Sequence, residues 1–401
     1  MSRLYLGPPG LTCALGCGLG CGLDATRAAL LAGDTSGLRL EDGWLPDRPV
    51  RVGRLRHEPP PLPDALPLAW RSRNNAVLLA AAQQIAGQID AARRRYGAGR
   101  IGVVLGTSTS GIAEAELAFH ATAAGGHDEH FVYPQMELGA PASFLAEHLG
   151  LDGPAYTVST ACTSGAKALA SARNLIRSGL VDVVIAGGVD SLCRLTLRGF
   201  TALESTSVAL TNPLSIHRQG INIGEGAALF LLGPEASPEA DVVELLGIGE
   251  SSDAYHMSAP EPEGRGAELA LRAALADAGC APEDIGYLNL HATATRKNDE
   301  MESRVVARVF PAGVPASGTK PLTGHTLGAA GALEAAFCWL ALTSDGRLPP
   351  HVWDGQPDPE LPQLALVRPG DRFAAGQPRR AMSNSFAFGG NNISLILGAR
   401  A

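Results

Sequence analysis

The chain of 401 residues is poor in charged and aromatic side chains and has no long apolar run. Charged residues make up only 18% and hydrophobic residues 45%, so the chain can bury a large core. Aromatic residues make up 5%, which predicts helices that pack closely through alanine, leucine and glycine. No run approaches the roughly 18 apolar residues of a membrane-spanning helix. The first residues also lack the apolar segment of a signal peptide. We therefore expect a globular protein that does not cross a membrane.

The seven cysteines do not form a disulfide-type framework. Cys13, Cys17 and Cys21 follow a spacing that fits neither zinc nor iron–sulfur sites, so we expect no metal there. Reduced thiols in turn predict a cytoplasmic protein. The net charge of −8 argues against nucleic acid as the main partner.

Cys162 stands apart from the other cysteines because of its neighbours. It follows a β-branched segment that ends at Val158, and it precedes an alanine-rich helix predicted over 166–176. A thiol at a helix N-terminus meets free N–H groups and a dipole that favour the thiolate. By contrast, Cys193, Cys280 and Cys338 lie among apolar residues and are predicted to be core residues.

Two histidines have a comparable setting. His291 and His325 each follow the end of a predicted strand, among threonine and glycine. One cysteine and two histidines, far apart in sequence, predict a site for acyl transfer through a covalent intermediate.

An internal duplication connects these segments. Residues 101–111 and 285–295 share the same order of an Ile-Gly pair, a buried strand and a threonine-rich turn, and each follows a helical pattern, the first over 74–95. Self-similarity on this scale predicts an α/β protein of two halves, 1–238 and 239–401. In such a protein the turns that follow the strands meet at one crevice, where ligands bind.

A hypothesis from another class of function is a nucleotide-binding oxidoreductase. The glycine pairs at 187–188 and 389–390 complete neither the dinucleotide fingerprint nor a P-loop. They are better explained as tight turns beside a site.

Four segments together resemble the β-ketoacyl-acyl-carrier-protein synthases of the Cys-His-His type, which are condensing enzymes of the thiolase fold. These segments are 159–162, 291–299, 319–334 and 384–392, and they occur in the family's order. The resemblance covers nearly the whole chain. It implies a layered α-β-α-β-α body in which the first half carries the nucleophile and the second half carries both histidines.

The resemblance also implies the reaction. Cys162 would accept an acyl group from acyl carrier protein, and the backbone N–H groups of Cys162 and Phe388 would hold the oxyanion. Decarboxylation of malonyl carrier protein would then yield an enolate that attacks the acyl group and gives a 3-ketoacyl thioester. No bound cofactor is implied, because the carrier protein delivers its own phosphopantetheine arm.

The two histidines would act on that enolate. Neutral His291 and His325 would donate hydrogen bonds from Nε2 to its oxygen, and Lys320 and Glu334 would orient the imidazoles. The gate and the substrate pocket implied by the resemblance comprise Phe386, Ala387, Phe388, Thr293, Thr295, Thr107 and Phe200.

Some positions depart from the family pattern. Ala292 and Ala387 replace glycines, and segment 211–220 lacks the aspartates of the matching loop. Ala387 would stiffen the gate. The departures favour a specialised branch of the family over the housekeeping fatty-acid enzyme. Segments 73–75 and 108–111 are similar to synthases of polyene and polyketide pathways such as aryl polyene assembly.

Related activities differ from this pattern. A degradative thiolase needs a second cysteine in the C-terminal glycine-rich segment, which instead has Phe386 and Phe388. Chain-starting synthases use one histidine and one asparagine. This chain has a second histidine, His325, which favours elongation. A chain-length factor, the non-catalytic subunit of a heterodimer, loses the nucleophile that Cys162 supplies here. The chain would act as a homodimer, or as a heterodimer with such a factor. The sequence leaves this choice and the acyl chain length open.

Overall fold

The computed structural model describes residues 3–235 and 243–399, with all their side chains except those of 17–21. The strands are β1 (Tyr5–Leu6), β2 (Gly10–Cys13), β3 (Gly16–Cys17), β4 (Leu38–Glu41), β5 (Val50–Gly53), β6 (Ile101–Gly106), β7 (Ala155–Val158), β8 (Val183–Asp190), β9 (Ile223–Gly224), β10 (Gly226–Gly233), β11 (Val243–Ser252), β12 (Tyr287–Leu290), β13 (Ala316–Gly318), β14 (Arg380–Phe386) and β15 (Asn391–Ala399). The helices are α1 (Gly18–Ala32), α2 (Arg73–Gln84), α3 (Ala86–Tyr96), α4 (Ile112–Ala123), α5 (Ala140–Leu149), α6 (Ser164–Arg177), α7 (Arg194–Ala202), α8 (Arg265–Ala278), α9 (Arg296–Val309), α10 (Lys320–Thr323) and α11 (Ala330–Leu342).

The main sheet shows the duplication directly. Its strands follow the order β13-β12-β14-β15-β11-β1-β10-β8-β6-β7. In one half, β6 is parallel to β7 and β8, and β8 is antiparallel to β10. In the other half, β12 is parallel to β13 and β14, and β14 is antiparallel to β15. The two halves therefore share one topology, as predicted. Their predicted junction at 238/239 lies outside the described residues.

Helices cover the strands in layers. Helices α2 and α5 pack with β6 and β8 in one apolar cluster, and α8 and α9 pack with β12 and β14 in another. Between the halves, α6 and α11 contact each other and share a third cluster with strands of both. Every residue of α11 is buried. This arrangement is the predicted α-β-α-β-α layering.

The two central helices touch through small residues. A Cβ atom at Gly331 would lie 2.7 Å from Cβ of Ala166, and one at Gly165 would lie 2.9 Å from the backbone nitrogen of Ala332. The shortage of aromatic residues is thus consistent with a central layer that has no room for larger side chains.

The helical pattern over 74–95 corresponds to two helices. Ile85 leaves the helical region, with φ −107° and ψ 13°, and separates α2 from α3. Its side chain is buried close to Gly10 of β2. Tertiary packing therefore interrupts a sequence that has the periodicity of one helix.

The sequence predicts no helix that crosses a membrane. Within 3–235 and 243–399, none of them combines the length and the apolar content that crossing a bilayer requires.

The close contact of α6 with α11 predicts a position-dependent effect of alanine. Gly331→Ala should destabilise the protein by about 1–3 kcal/mol, because the new methyl group forces the helices apart. Gly87→Ala, also at the second residue of its helix, has open space around it and should stabilise by about 0.5–1 kcal/mol. Thermal and urea unfolding of both variants measures the difference. Equal effects would contradict the packing described.

Candidate active site

Cys162 lies in a strained turn between β7 and α6. Ala161, just before it, has φ +52°, a left-handed conformation that costs a non-glycine residue free energy. The side chain is 6% exposed, and its Sγ lies 3.0 Å from Nε2 of His325. The turn directs the thiol toward the second half of the molecule, just before the first turn of α6.

His291 follows β12 in a turn that a buried carboxylate holds. Glu302 of α9 accepts hydrogen bonds from the backbone N–H groups of His291 and Ala292, both at 2.7 Å. Ala292 and Ala294 have φ +41° and +59°. Ala292 therefore occupies, at some strain, a conformation that favours glycine. The sequence interpretation missed Glu302, although its place three residues after Asp299 on one helix was a usable signal.

The backbone of His325 is fixed on both sides. Its N–H donates to the carbonyl of Asn222 at 2.7 Å, and its carbonyl accepts from the N–H of Gly224 at 2.9 Å. Gly324 precedes it with φ +72°, and a Cβ there would lie 2.9 Å from Gly224. These contacts join the second half to β9 of the first half.

The three predicted side chains converge. The imidazole centroids of His291 and His325 are 5.4 Å apart at an interplanar angle of 84°. One nitrogen of each ring and the Cys162 sulfur all lie within 4.8 Å of one another. Such a set also has the donors of a zinc site, but the neighbouring Lys320 ammonium opposes a cation there. The predicted absence of a metal remains a prediction.

Lys320 determines the tautomer of His291. The ammonium is 2% exposed, donates to the backbone carbonyl of His291, and lies 3.4 Å from Nδ1 of the same residue. It is paired with Glu334 Oε1 at 2.5 Å. Because an ammonium only donates, Nδ1 must accept and the proton of neutral His291 resides on Nε2. Nδ1 of His325 is buried and has no partner among the described residues.

Burial dominates the electrostatics of the site. It lowers the pKa of both His291 and His325 well below the ordinary value, and Lys320 lowers both further, so both imidazoles are neutral. Burial also raises the pKa of Cys162 to about 12, although Lys320 opposes that rise. The expectation that the helix N-terminus favours a thiolate is therefore corrected: in the resting site desolvation outweighs it, and a neutral thiol faces a neutral imidazole.

A cavity of about 540 Å³ opens over these groups. The residues predicted for the site or its pocket that line it are Cys162, His291, His325, Thr293, Thr295, Phe200, Phe386, Ala387 and Phe388. The predicted Lys320 and Glu334 are buried and lie outside the lining. Of the predicted gate and pocket residues, Thr107 alone lies outside it, which corrects the sequence interpretation. It is fully buried outside this lining, because its hydroxyl donates to Asp190 at 2.7 Å.

Comparison with known proteins settles the family. The family model of the β-ketoacyl synthase N-terminal domain matches residues 74–237, and that of the C-terminal domain matches 242–352. The chain belongs to the β-ketoacyl synthase family. Nodulation protein E of Rhizobium meliloti is 36% identical over 306 residues, which cover 74% of this chain and 75% of that protein. A 3-oxoacyl-[acyl-carrier-protein] synthase 2 of Synechocystis is 32% identical over 319 residues, 74% of each chain.

A solved structure extends the similarity over the whole chain. A chain from the complex of ketosynthase ApeO with its chain length factor ApeC, from Xenorhabdus doucetiae, is 45% identical with a TM-score of 0.92. The alignment covers 100% of this chain and 98% of that one. The family, the thiolase-like fold and the class of acyltransferase predicted from the sequence are thereby confirmed.

Two phenylalanines of the segment predicted as the gate contact other rings of the cavity lining. Phe388 lies 5.4 Å from Phe200 and Phe386 lies 5.9 Å from His291, measured between ring centroids. Ala387 has φ −133° and ψ 156°, which any residue adopts, so alanine is unstrained in this state. The stiffening predicted for Ala387 concerns other states of the gate and remains a prediction.

Asp190 is a buried carboxylate that the sequence interpretation missed. It accepts from the Thr107 and Thr109 hydroxyls and from backbone N–H groups, including that of Gly328 at 2.5 Å. Asp190 therefore ties the turn after β6 to the turn after His325. A charged residue at the end of the apolar strand β8 was the available signal.

Asp190→Asn should destabilise the synthase by about 2–4 kcal/mol, because the amide turns an N–H group toward buried donors. Asp182→Asn, just before the same strand, weakens a partly exposed pair with Arg100 and should cost under about 1 kcal/mol. Urea unfolding measures both. Equal losses would show that Asp190 does not hold the two turns together.

Proposed function

We propose that the protein is the catalytic, chain-elongating subunit of a β-ketoacyl-acyl-carrier-protein synthase. The observation that carries this proposal is the convergence of Cys162 with two neutral imidazoles at the floor of one cavity. The retained nucleophile favours it over a chain-length factor. Its products would enter fatty-acid or polyene and polyketide synthesis.

The first half-reaction transfers an acyl group to Cys162. The sulfur attacks the thioester carbonyl, and the backbone N–H groups of Cys162 and Phe388 hold the oxyanion. The bond from the carbonyl carbon to the carrier's sulfur then breaks. The proton of the Cys162 thiol passes to the departing carrier thiolate, and His325, whose Nε2 lies 3.0 Å from Sγ, keeps the Nε2–H that the second half-reaction uses. Because the thiol starts protonated, this proton transfer is required for attack.

The second half-reaction forms the new carbon–carbon bond. Malonyl carrier protein loses carbon dioxide, and the electron pair of the broken bond forms a thioester enolate. Nε2–H groups of His291 and His325 stabilise its oxygen. The enolate carbon attacks the acyl carbonyl, the bond from that carbonyl to the Cys162 sulfur breaks, and the released thiolate takes up one proton from solvent. Lys320 holds His291 as the Nε2–H tautomer that this step requires.

We propose that the partners are an acyl carrier protein and a chain-length-factor-like subunit. Strand β7 ends the main sheet and is only partly buried, so its outer edge can pair with another chain. Exposed apolar side chains lie on α4, on α7 and on the segment after α4, namely Leu117, Phe119, Tyr133, Leu138 and Leu195. The ApeO complex is named for the same pairing of subunits.

Catalysis by a free thiol suits the reducing cytoplasm, which we propose as the compartment.

Intact-protein mass spectrometry tests the proposal. The chain, alone and co-expressed with its partner, is mixed with acyl carrier proteins of varied chain length. Wild type should gain an acyl group that disappears when malonyl carrier protein is added. Cys162→Ala should gain none. His325→Ala should mainly lose decarboxylation and condensation.

Cys280→Ala is the matched control, because Cys280 is partly exposed rather than the core residue predicted from the sequence and lies outside the cavity lining, so its removal should leave acylation intact. Acylation of Cys162→Ala equal to that of wild type would contradict the proposed nucleophile. Wild type without an adduct under any pairing would contradict a catalytic role.

A further inference from the structure

Two basic residues at the cavity have no partner of their own. Arg296 and Lys297, in the first turn of α9, are exposed and line the same cavity as Cys162. Neither side chain has a hydrogen-bond or ion-pair partner within 4.0 Å among the residues described. Arg218, another basic residue of the lining, is by contrast buried and paired with Asp358 and Glu300. Among the described residues of the lining, Arg296 and Lys297 are therefore the only arginine or lysine side chains without an ion-pair partner.

The acidic residues nearby do not neutralise this pair. Asp253 lines the cavity, but its carboxylate accepts from Asn392 at 2.7 Å and from the backbone N–H of Glu261 at 3.1 Å. Asp358 is within electrostatic reach of Arg296 and is already bound by Arg218 at 2.5 Å. Glu204, the remaining exposed carboxylate of the lining, forms no hydrogen bond or ion pair with either cation among the described residues.

The first turn of α9 adds to the attraction for an anion. The helix has 14 residues, and its initial N–H groups point away from the helix toward the N-terminal end, where the dipole is positive. Asp299, the acidic residue of that turn, is buried and accepts from the backbone N–H groups of Leu214 and Ala294. Its charge is thus used within the protein.

The chain between the imidazole and this basic pair is short. Arg296 is five positions after His291, so their Cα atoms lie at most about 18 Å apart. Between them, the hydroxyls of Thr293 and Thr295 are 2.9 Å apart and line the cavity. A flexible arm with its thioester at Cys162 would share one cavity with these two hydroxyls and the two cations.

We infer that Arg296 and Lys297 bind the phosphate at the carrier end of the phosphopantetheine arm while its thioester lies at Cys162. This inference rests on the proposed function and adds the recognition of the arm's one anionic group. Arginine binds phosphate through paired N–H donors, and lysine contributes a point charge.

The test compares two small thioesters of one acyl chain, acyl-phosphopantetheine and acyl-pantetheine, which differ only in the phosphate. The second-order rate constant for acylation of Cys162 is measured by intact-protein mass spectrometry. Wild type should prefer the phosphorylated thioester by about tenfold, the effect expected of two partly exposed charge contacts. Arg296→Gln and Lys297→Gln should each reduce that preference and leave the rate with acyl-pantetheine unchanged.

Arg304→Gln is the matched control, because it removes the same charge from the same helix outside the cavity lining and should keep the preference. Arg296→Lys keeps the positive charge, so it should retain part of the preference for the phosphorylated thioester that Arg296→Gln loses. The inference would be overturned if both glutamine variants kept the wild-type preference for the phosphorylated thioester. It would also be overturned if they slowed acylation by both thioesters equally. If the glutamine variants slowed acylation only by acyl carrier proteins, Arg296 and Lys297 would be residues that contact the carrier protein itself, and the inference would be overturned.

The proposed function can fail separately. Equal acylation of wild type by both thioesters would overturn the phosphate site and leave the proposed function standing. Absence of acylation by either thioester and by acyl carrier protein would contradict both.

Discussion

The buried ammonium of Lys320 is the interaction on which the site depends. It neutralises Glu334, holds the carbonyl of His291, and leaves Nδ1 of that ring no role except acceptor. A single buried charge therefore keeps one imidazole in the tautomer needed to donate to an enolate. It also disfavours protonation of both rings. Removing the carboxylate would strand that charge in a low-dielectric interior, which is why the pair is expected to act as a unit.

The duplicated fold explains how these groups meet. Cys162 and His325 occupy equivalent turns, each before a central helix, and those helices touch through Gly165 and Gly331. Close packing of α6 and α11 brings the two turns within hydrogen-bond distance. Strained alanines at 161, 292 and 294 surround the site, and the buried carboxylates of Asp190 and Glu302 hold the turns. Strain is thus concentrated where side chains must be aimed.

Much of this arrangement could be predicted from the sequence. Strand ends with cysteine or histidine among small residues identified Cys162, His291 and His325, and the internal repeat predicted two halves of one topology. Other features depend on tertiary contacts. The break at Ile85 comes from packing, and the orientation of Thr107 comes from Asp190, which is distant in sequence. The protonation of Cys162 follows from burial, which local helix geometry does not reveal.

The most direct test of the central claim is ¹⁵N NMR of the synthase with labelled histidine, followed from pH 8 to pH 6. His291→Asn and His325→Asn assign the two signals. The account predicts that both rings stay neutral throughout, because burial and Lys320 lower the pKa of each, and that His291 carries its proton on Nε2. An imidazolium signal from either ring near pH 7, or an Nδ1–H tautomer of His291, would contradict it.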